Sequence, residues 1–129
     1  MTMLTARAGY QLWAPVYEAE TPVSFLEQEI VSRLPVSTSV AHLLDVGCGT
    51  GRRLRDCTAD LVVAVDLSEH MLAHADLALP RAAADVIALP FASAAFDVVW
   101  CRLVIGHVED AESAYAELSR VCRPGGHVV

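Results

Sequence analysis

The stretch Leu43-Leu44-Asp45-Val46-Gly47-Cys48-Gly49-Thr50-Gly51 (LLDVGCGTG, residues 43–51) decides the fold. Four residues that suit a buried strand run straight into glycines at alternate positions. Glycine tolerates the left-handed backbone of a tight turn and lets another group approach the main chain closely. A strand that ends in such a turn reads as the first βα unit of a nucleotide-type binding sheet.

The pattern continues outward from there. LVVAVD (61–66) is a second strand, rich in valine. SEHMLAHADLAL (68–79) is a helix with Ser68 as its cap and Met71, Leu72, Ala75 and Leu79 on its apolar side. AAADVIALP (82–90) gives a weaker, short third strand followed by a loop, and FDVVWCRLV (96–104) a fourth strand that is apolar on both faces. DAESAYAELSRVCR (110–123) is a helix capped by Asp110, with Ala111, Ala114, Tyr115, Leu118 and Val121 inward. Pro124-Gly125-Gly126 stops it, and HVV opens a fifth strand. A short helix is expected over 51–57. Upstream, TPVSFLEQEIVSRL (21–34) is a helix capped by Thr21 and opened by Pro22, with Val23, Leu26, Ile30 and Leu34 as its buried stripe. Alternating strands and helices imply right-handed crossovers and a mainly parallel α/β sheet, doubly wound, with helices on both faces.

In such a sheet ligands bind beyond the carboxyl ends of the strands. Three acids fall there. Asp66 ends the second strand and can accept from both hydroxyls of a ribose, Asp85 ends the third and can accept from an adenine amine, and Asp45 precedes the glycines. A dinucleotide fingerprint would need a glycine where Arg52 stands, and no G-K-[ST] follows for a phosphate-binding loop. An acid at position 45 would also repel a pyrophosphate. The array suits an adenosine with a neutral or cationic tail.

LLDVGCGTGR, VVAVDLSEHML, ADVIALPFASAAFDVVWC and LSRVCRPGGHVV, in that order, resemble the successive motifs of class I S-adenosylmethionine-dependent methyltransferases of the small-molecule type. The resemblance runs from about residue 40 to the end. It implies a Rossmann-like fold in which Asp45, Gly47, Cys48, Gly49 and Gly51 embrace the methionine part of S-adenosylmethionine. Asp66 would hold the ribose, Leu67 and Met71 would face the adenine, and Asp85 and Val86 would meet its amine. Cys101 and Arg102 would lie near the sulfonium. GYQLWAPVYEAE (9–20) is similar to a segment that covers the cofactor in such enzymes, with Tyr10, Trp13 and Tyr17 as the lid; an aromatic cluster fixing the first helix to the sheet is the alternative.

The implied activity is in-line methyl transfer to a small-molecule acceptor, with the protein supplying orientation. His107 is the one candidate base, set against a structural role. His70 and His74, four apart on a helix, and the run Arg52, Arg53, Arg55 read as solvated helix faces, so no metal site is expected. The family carries seven strands, and here the sequence ends as the fifth begins. Three expectations follow: a piece of a longer protein, a chain completed by a partner or by its own copy at the open sheet edge, or a shortened non-catalytic module that binds the cofactor or a partner protein.

The bulk composition sets bounds on these readings. The 129 residues suit one domain, with 1–38 as lid and helix and 39–129 as the cofactor-binding core. A net charge of −7 argues against a broad nucleic-acid or anionic-membrane surface. The four cysteines show no C-x-x-C spacing and read as reduced thiols of a cytoplasmic protein. MTMLTARAGY has no apolar core for a secretory leader, and the apolar run 96–108 is too short to span a bilayer.

Overall fold

The computed structural model describes residues 5–13, 21–75 and 78–129. Tyr17 and the side chains of Tyr10 and Trp13 lie outside the described residues, so the lid expectation goes untested. The elements in order are α1 (Ala6–Trp13), α2 (Pro22–Ser32), β1 (His42–Val46), β2 (Leu61–Asp66), α3 (Glu69–Ala73), β3 (Arg81–Ala83), β4 (Phe96–Trp100), α4 (Ala111–Val121) and β5 (Cys122–Val128). Short 3-10 turns occupy Arg52–Leu54 and Ile105–His107.

The five strands form one sheet in the order β3-β2-β1-β4-β5, and every pairing is parallel. The chain winds from β1 outward through β2 and β3, then returns to the other side of β1 with β4. The switch point therefore lies at the carboxyl ends of β1 and β4, directly above the glycine loop. Both faces of the sheet are covered. Leu44, Val46, Val65 and Val99 pack with Ala114, Leu118 and Val121 of α4 on one face. Leu43, Val62, Val98 and Trp100 pack with Leu54 and with Leu72 of α3 on the other. This is the doubly wound α/β sheet read from the sequence. Among the described residues no helix is long and apolar enough to cross a membrane.

Several boundaries differ from the expectation, each for a local reason. β3 ends at Ala83 because the Asp85 carboxylate accepts the Ile87 N–H at 3.2 Å and its carbonyl accepts the Ala88 N–H at 3.0 Å. An aspartate that bonds its own downstream backbone makes a turn in place of a ladder. β4 ends at Trp100, not at 104, since Leu103 takes a left-handed φ of 60° that no strand allows. β5 begins at Cys122 straight from α4 and includes the Pro-Gly-Gly stretch, with an irregular register against β4 between Phe96 and Val98. α3 is capped by Ser68 as expected but is closed at His74, and the expected short helix over 51–57 is only the 3-10 turn. Tyr115, read as inward, is exposed.

The largest departure is α2. Thr21 and Ser24 form a reciprocal capping box, with Thr21 N–H to Ser24 Oγ at 2.9 Å and Ser24 N–H to Thr21 Oγ1 at 3.2 Å. Yet Val23, Leu26, Ile30 and Leu34, the expected buried stripe, are all exposed. The inward positions are Ser24, Glu27 and Val31, three and four apart. Glu27 explains the rotation. Its carboxylate pairs with Arg102, and at 3.3 Å with Arg53, whose side chains are only 3% and 8% exposed. Two buried guanidiniums without an acid would cost more than an exposed apolar stripe.

Candidate functional site

A cavity of about 390 Å³ lies over the carboxyl ends of β1, β2 and β4. Its floor is the glycine loop. Gly47 turns there with φ of 73°, and a Cβ at this position would overlap Val104 Cγ2. The loop is tied to β2: the N–H groups of Gly47 and Cys48 both donate to the Val65 carbonyl, at 2.8 and 3.0 Å.

Asp66 is the best-fixed acid in the cavity. Gly49 N–H donates to Oδ2 and Ser68 N–H to Oδ1, each at 2.8 Å. One carboxylate thus braces the glycine loop against the start of α3. Each of its oxygens keeps lone-pair capacity for a further donor. Burial pushes its carboxyl above the ordinary range, and the backbone N–H groups of Ser68, Gly49 and Leu67 pull the other way.

Leu67 and Met71 form the wall beyond Asp66, and Asp85 and Val86 the side beyond those. Arg102 and His107 close the opposite side. With Gly47, Gly49 and Asp66, these are the expected site residues that the fold brings to one cavity. Four others it places elsewhere. Cys48 is buried in the core beneath the sheet's α3 face, where burial holds its thiol far above the usual range. Cys101 packs against the opposite core, its thiol pushed up to about 12 by the same cause. Gly51 turns the chain, at φ of 79°, into the 3-10 turn.

Asp45 is the fourth. It lies under the loop, 2% exposed, and does not line the cavity. Burial raises its carboxyl to about 7, against the pull of the Arg53 and Arg102 guanidiniums. Its Oδ2 has no hydrogen-bond partner among the described residues. An orphaned carboxylate oxygen beneath a glycine loop is chemically suited to a cationic group and unsuited to a phosphate.

Arg102 also does more than was expected. Its guanidinium takes Glu27 in a two-point pair, donates to Gln28 Oε1 at 2.6 Å, and sits 5.0 Å from the Trp100 ring centroid. It ties α2 to the end of β4. Within the basic run, Arg53 is pinned to Glu27 and turned away from solvent, whereas Arg55 is exposed as expected. His70 and His74 are exposed, and the His74 ring bonds the His70 carbonyl at 2.7 Å.

Sequence reading missed the cover of the site. Because β4 stops at Trp100, residues 103–110 fold back over the cavity, and Leu103, Val104 and Glu109 line it along with Thr5. The signal available was Gly106 inside an apolar run, which argues for a turn there. Taken together, the cavity offers a carboxylate for paired hydroxyls, an apolar slot for a flat ring, a second acid at the rim and a hidden acid near the glycines.

The methyltransferase domain family matches residues 44–129. A malonyl-[acyl-carrier protein] O-methyltransferase of Enterobacter lignolyticus is 42% identical over 126 residues, which cover 92% of this chain and 49% of that protein. The chain spans about a third to a half of the length of the curated relatives it matches. Among solved structures, an S-adenosylmethionine-dependent methyltransferase from Mesorhizobium loti superposes with a TM-score of 0.68 at 29% identity, covering 78% of this chain and 50% of that one. The [4+2]-cyclase SpnF superposes with a TM-score of 0.73 at 20% identity, over 99% of this chain and 60% of its own, and shares the fold alone.

Proposed function

The chain belongs to the methyltransferase domain family, and from that premise we propose that it binds S-adenosylmethionine in the cavity over Gly47 and Gly49 and directs its methyl group to a carboxyl oxygen. The observation that carries this reading is Asp66, held by Gly49 and Ser68 on the cavity floor with capacity left for two ribose hydroxyls. Leu67 and Met71 would flank the adenine, with Asp85 accepting from its amine. Asp45, under the glycines, would attract the cationic end of the methionine moiety. When bound, the cofactor supplies a methyl group on a positively charged sulfur. The remaining work of these residues is alignment and exclusion of water, and orientation of this kind is worth roughly 7–11 kcal/mol. Residues 39–129 would form the cofactor core, with the segment before them as its cover; Thr5 in the cavity wall supports that division.

The acceptor reading narrows through the relatives. Those named malonyl-[acyl-carrier protein] O-methyltransferase act on a carboxyl carried by a protein, and we assign the same acceptor class here in place of a free small molecule. A carboxylate is already ionised at neutral pH, its pKa being about 4, so no general base is required. His107 then serves as cavity wall. Four free thiols, three of them shifted upward by burial, suit a reducing compartment such as the cytoplasm.

Transfer of label from methyl-labelled S-adenosylmethionine to malonyl-carrier protein tests this directly. The expected product is a base-labile methyl ester, formed at a similar rate by the wild type and by His107→Ala. Cofactor binding without ester formation would support the non-catalytic module instead.

A further inference from the structure

Residues 84–95 join β3 to β4 and carry Asp85, Val86 and Ile87 into the wall of the cofactor cavity. The start of this loop is fixed locally. Ala84 N–H donates to the Asp66 carbonyl at 3.0 Å, and Asp85 closes its own turn onto Ile87 and Ala88. Asp85 and Ile87 are exposed, while Val86 and Leu89 are buried.

The rest of the loop has no strand ladder to hold it. Two side chains of α4 take that place, Glu117 and Arg120, which lie three residues apart and so share one face of the helix. Leu89 is held at both of its main-chain groups. Its N–H donates to Glu117 Oε2 at 2.7 Å, and its carbonyl accepts from Arg120 Nη2 at 3.1 Å. Arg120 Nη1 donates to the Phe91 carbonyl at 2.8 Å and to Ser93 Oγ at 3.4 Å. Ala94, at a left-handed φ of 57°, donates its N–H to the Arg120 carbonyl at 2.8 Å. Glu117 and Arg120 also hold each other, Nε to Oε1 at 2.6 Å and Nη2 to Oε2 at 2.9 Å. A guanidinium and a carboxylate locked in a two-point pair keep little freedom, so the main chain they grip keeps little either.

Neither residue lines the cavity, yet both act on its wall. Val86 and Leu89 are sealed into one core cluster with Leu118 and Val121 of α4, so a shift of Leu89 is passed on to Asp85 through packed side chains. In the cofactor reading above, Asp85 accepts from the adenine amine. A purine without that amine leaves the carboxylate unpaired, and the strength of this discrimination depends on where Asp85 stands.

We propose that Glu117 and Arg120 are positioning residues for recognition of the adenine base: their grip on Leu89 and Phe91 sets Asp85 where it meets the amine. The proposal rests on the cofactor reading and adds that base selectivity is set from α4, outside the cavity.

The experiment is a calorimetric titration of the chain with S-adenosylhomocysteine and with its 6-deamino analogue, whose purine carries hydrogen in place of the amine. The wild type prefers S-adenosylhomocysteine by about tenfold or more. Arg120→Met weakens S-adenosylhomocysteine by about fivefold or more and holds the analogue within about twofold, because only the amine contact is misplaced. Glu117→Gln keeps an oxygen for the Leu89 N–H and loses the charge, so its preference falls between the two; it carries the test if Arg120→Met does not fold. Asp85→Asn added to Arg120→Met costs less than the sum of the two changes, since both remove one contact. Amide exchange at 86–89 quickens in Arg120→Met while β1 and β2 stay protected. A folded variant that keeps the wild-type preference, or one that loses both ligands equally, overturns the proposal; the second outcome marks a purely structural clamp. A wild type that binds both ligands equally removes Asp85 as the amine contact and the proposal with it. A wild type that binds neither overturns the cofactor reading itself.

Discussion

Asp66 closes β2 and Asp45 stands one residue before the end of the neighbouring β1, two register positions back, and their surroundings give them different work. Asp66 meets two backbone N–H groups at 2.8 Å and faces the cavity. Replacing it with alanine should weaken S-adenosylmethionine binding by about 1–3 kcal/mol, roughly 5- to 150-fold, as calorimetry would show. Asp45 faces no described donor on Oδ2 and is raised to about 7 by burial. The folded chain therefore keeps a proton on Asp45 between the ordinary carboxylate range and about pH 7, where the unfolded chain has released it. Linkage then requires stability to fall as pH rises through that window. Asp45→Asn should melt higher than wild type at pH 8, with the difference closing towards pH 4, in scanning calorimetry of the cofactor-free protein. A wild-type curve parallel to that of the variant across this range would remove Asp45 as the cause. At this scale Asp66 was legible because it closes its strand, whereas β1 runs one residue past Asp45 and β3 stops before Asp85. The sequence was not legible at Cys48, a loop residue that no strand period governs, nor at Cys101, because a period-two pattern does not say which face a residue takes once β4 stops at Trp100.

The element whose reading failed most is α2. Its ends were readable, since Thr21, Pro22 and Ser24 are local capping chemistry. Its buried face was not, because the deciding partner, Arg102, lies 75 residues away. An apolar stripe lost to one buried ion-pair network is a tertiary override that periodicity cannot foresee. The consequence is testable. Glu27→Ala leaves the Arg102 and Arg53 charges without their acid, a change that costs about 3–5 kcal/mol for a buried pair. Since α2 is joined to the sheet chiefly through Arg102 and Arg53, its amides should lose hydrogen-exchange protection while those of β1 and β4 keep theirs. Uniform loss across the sheet, or no loss at all, would contradict the docking role. The loop 84–95 shows the opposite arrangement: Glu117 accepts the Leu89 N–H at 2.7 Å, and Arg120 donates to the Phe91 and Leu89 carbonyls. That clamp on α4 leaves Asp85 positioned at the cavity rim.

For the molecule as a whole, the glycine loop and the alternation of strands and helices carried the topology, because right-handed crossovers leave few other ways to wind five parallel strands. Topology does not fix activity. A [4+2]-cyclase superposes on 99% of this chain, so the chemistry has to be argued from the cavity. There the loop geometry is exacting. Gly47→Ala combines a left-handed φ of 73° with overlap on Val104, the residue that folds back over the site. It should lower the melting temperature and weaken cofactor binding together, and a variant with wild-type values for both would show that Val104 yields without cost. The central claim is that this cavity seats a cationic adenosine donor and excludes a diphosphate. Titration calorimetry of the chain with S-adenosylmethionine and, separately, with a nicotinamide dinucleotide tests it most directly. The account predicts micromolar binding of the first, weakened by about 5- to 150-fold in Asp66→Ala, and none of the second; binding of the dinucleotide, or of neither, would contradict it.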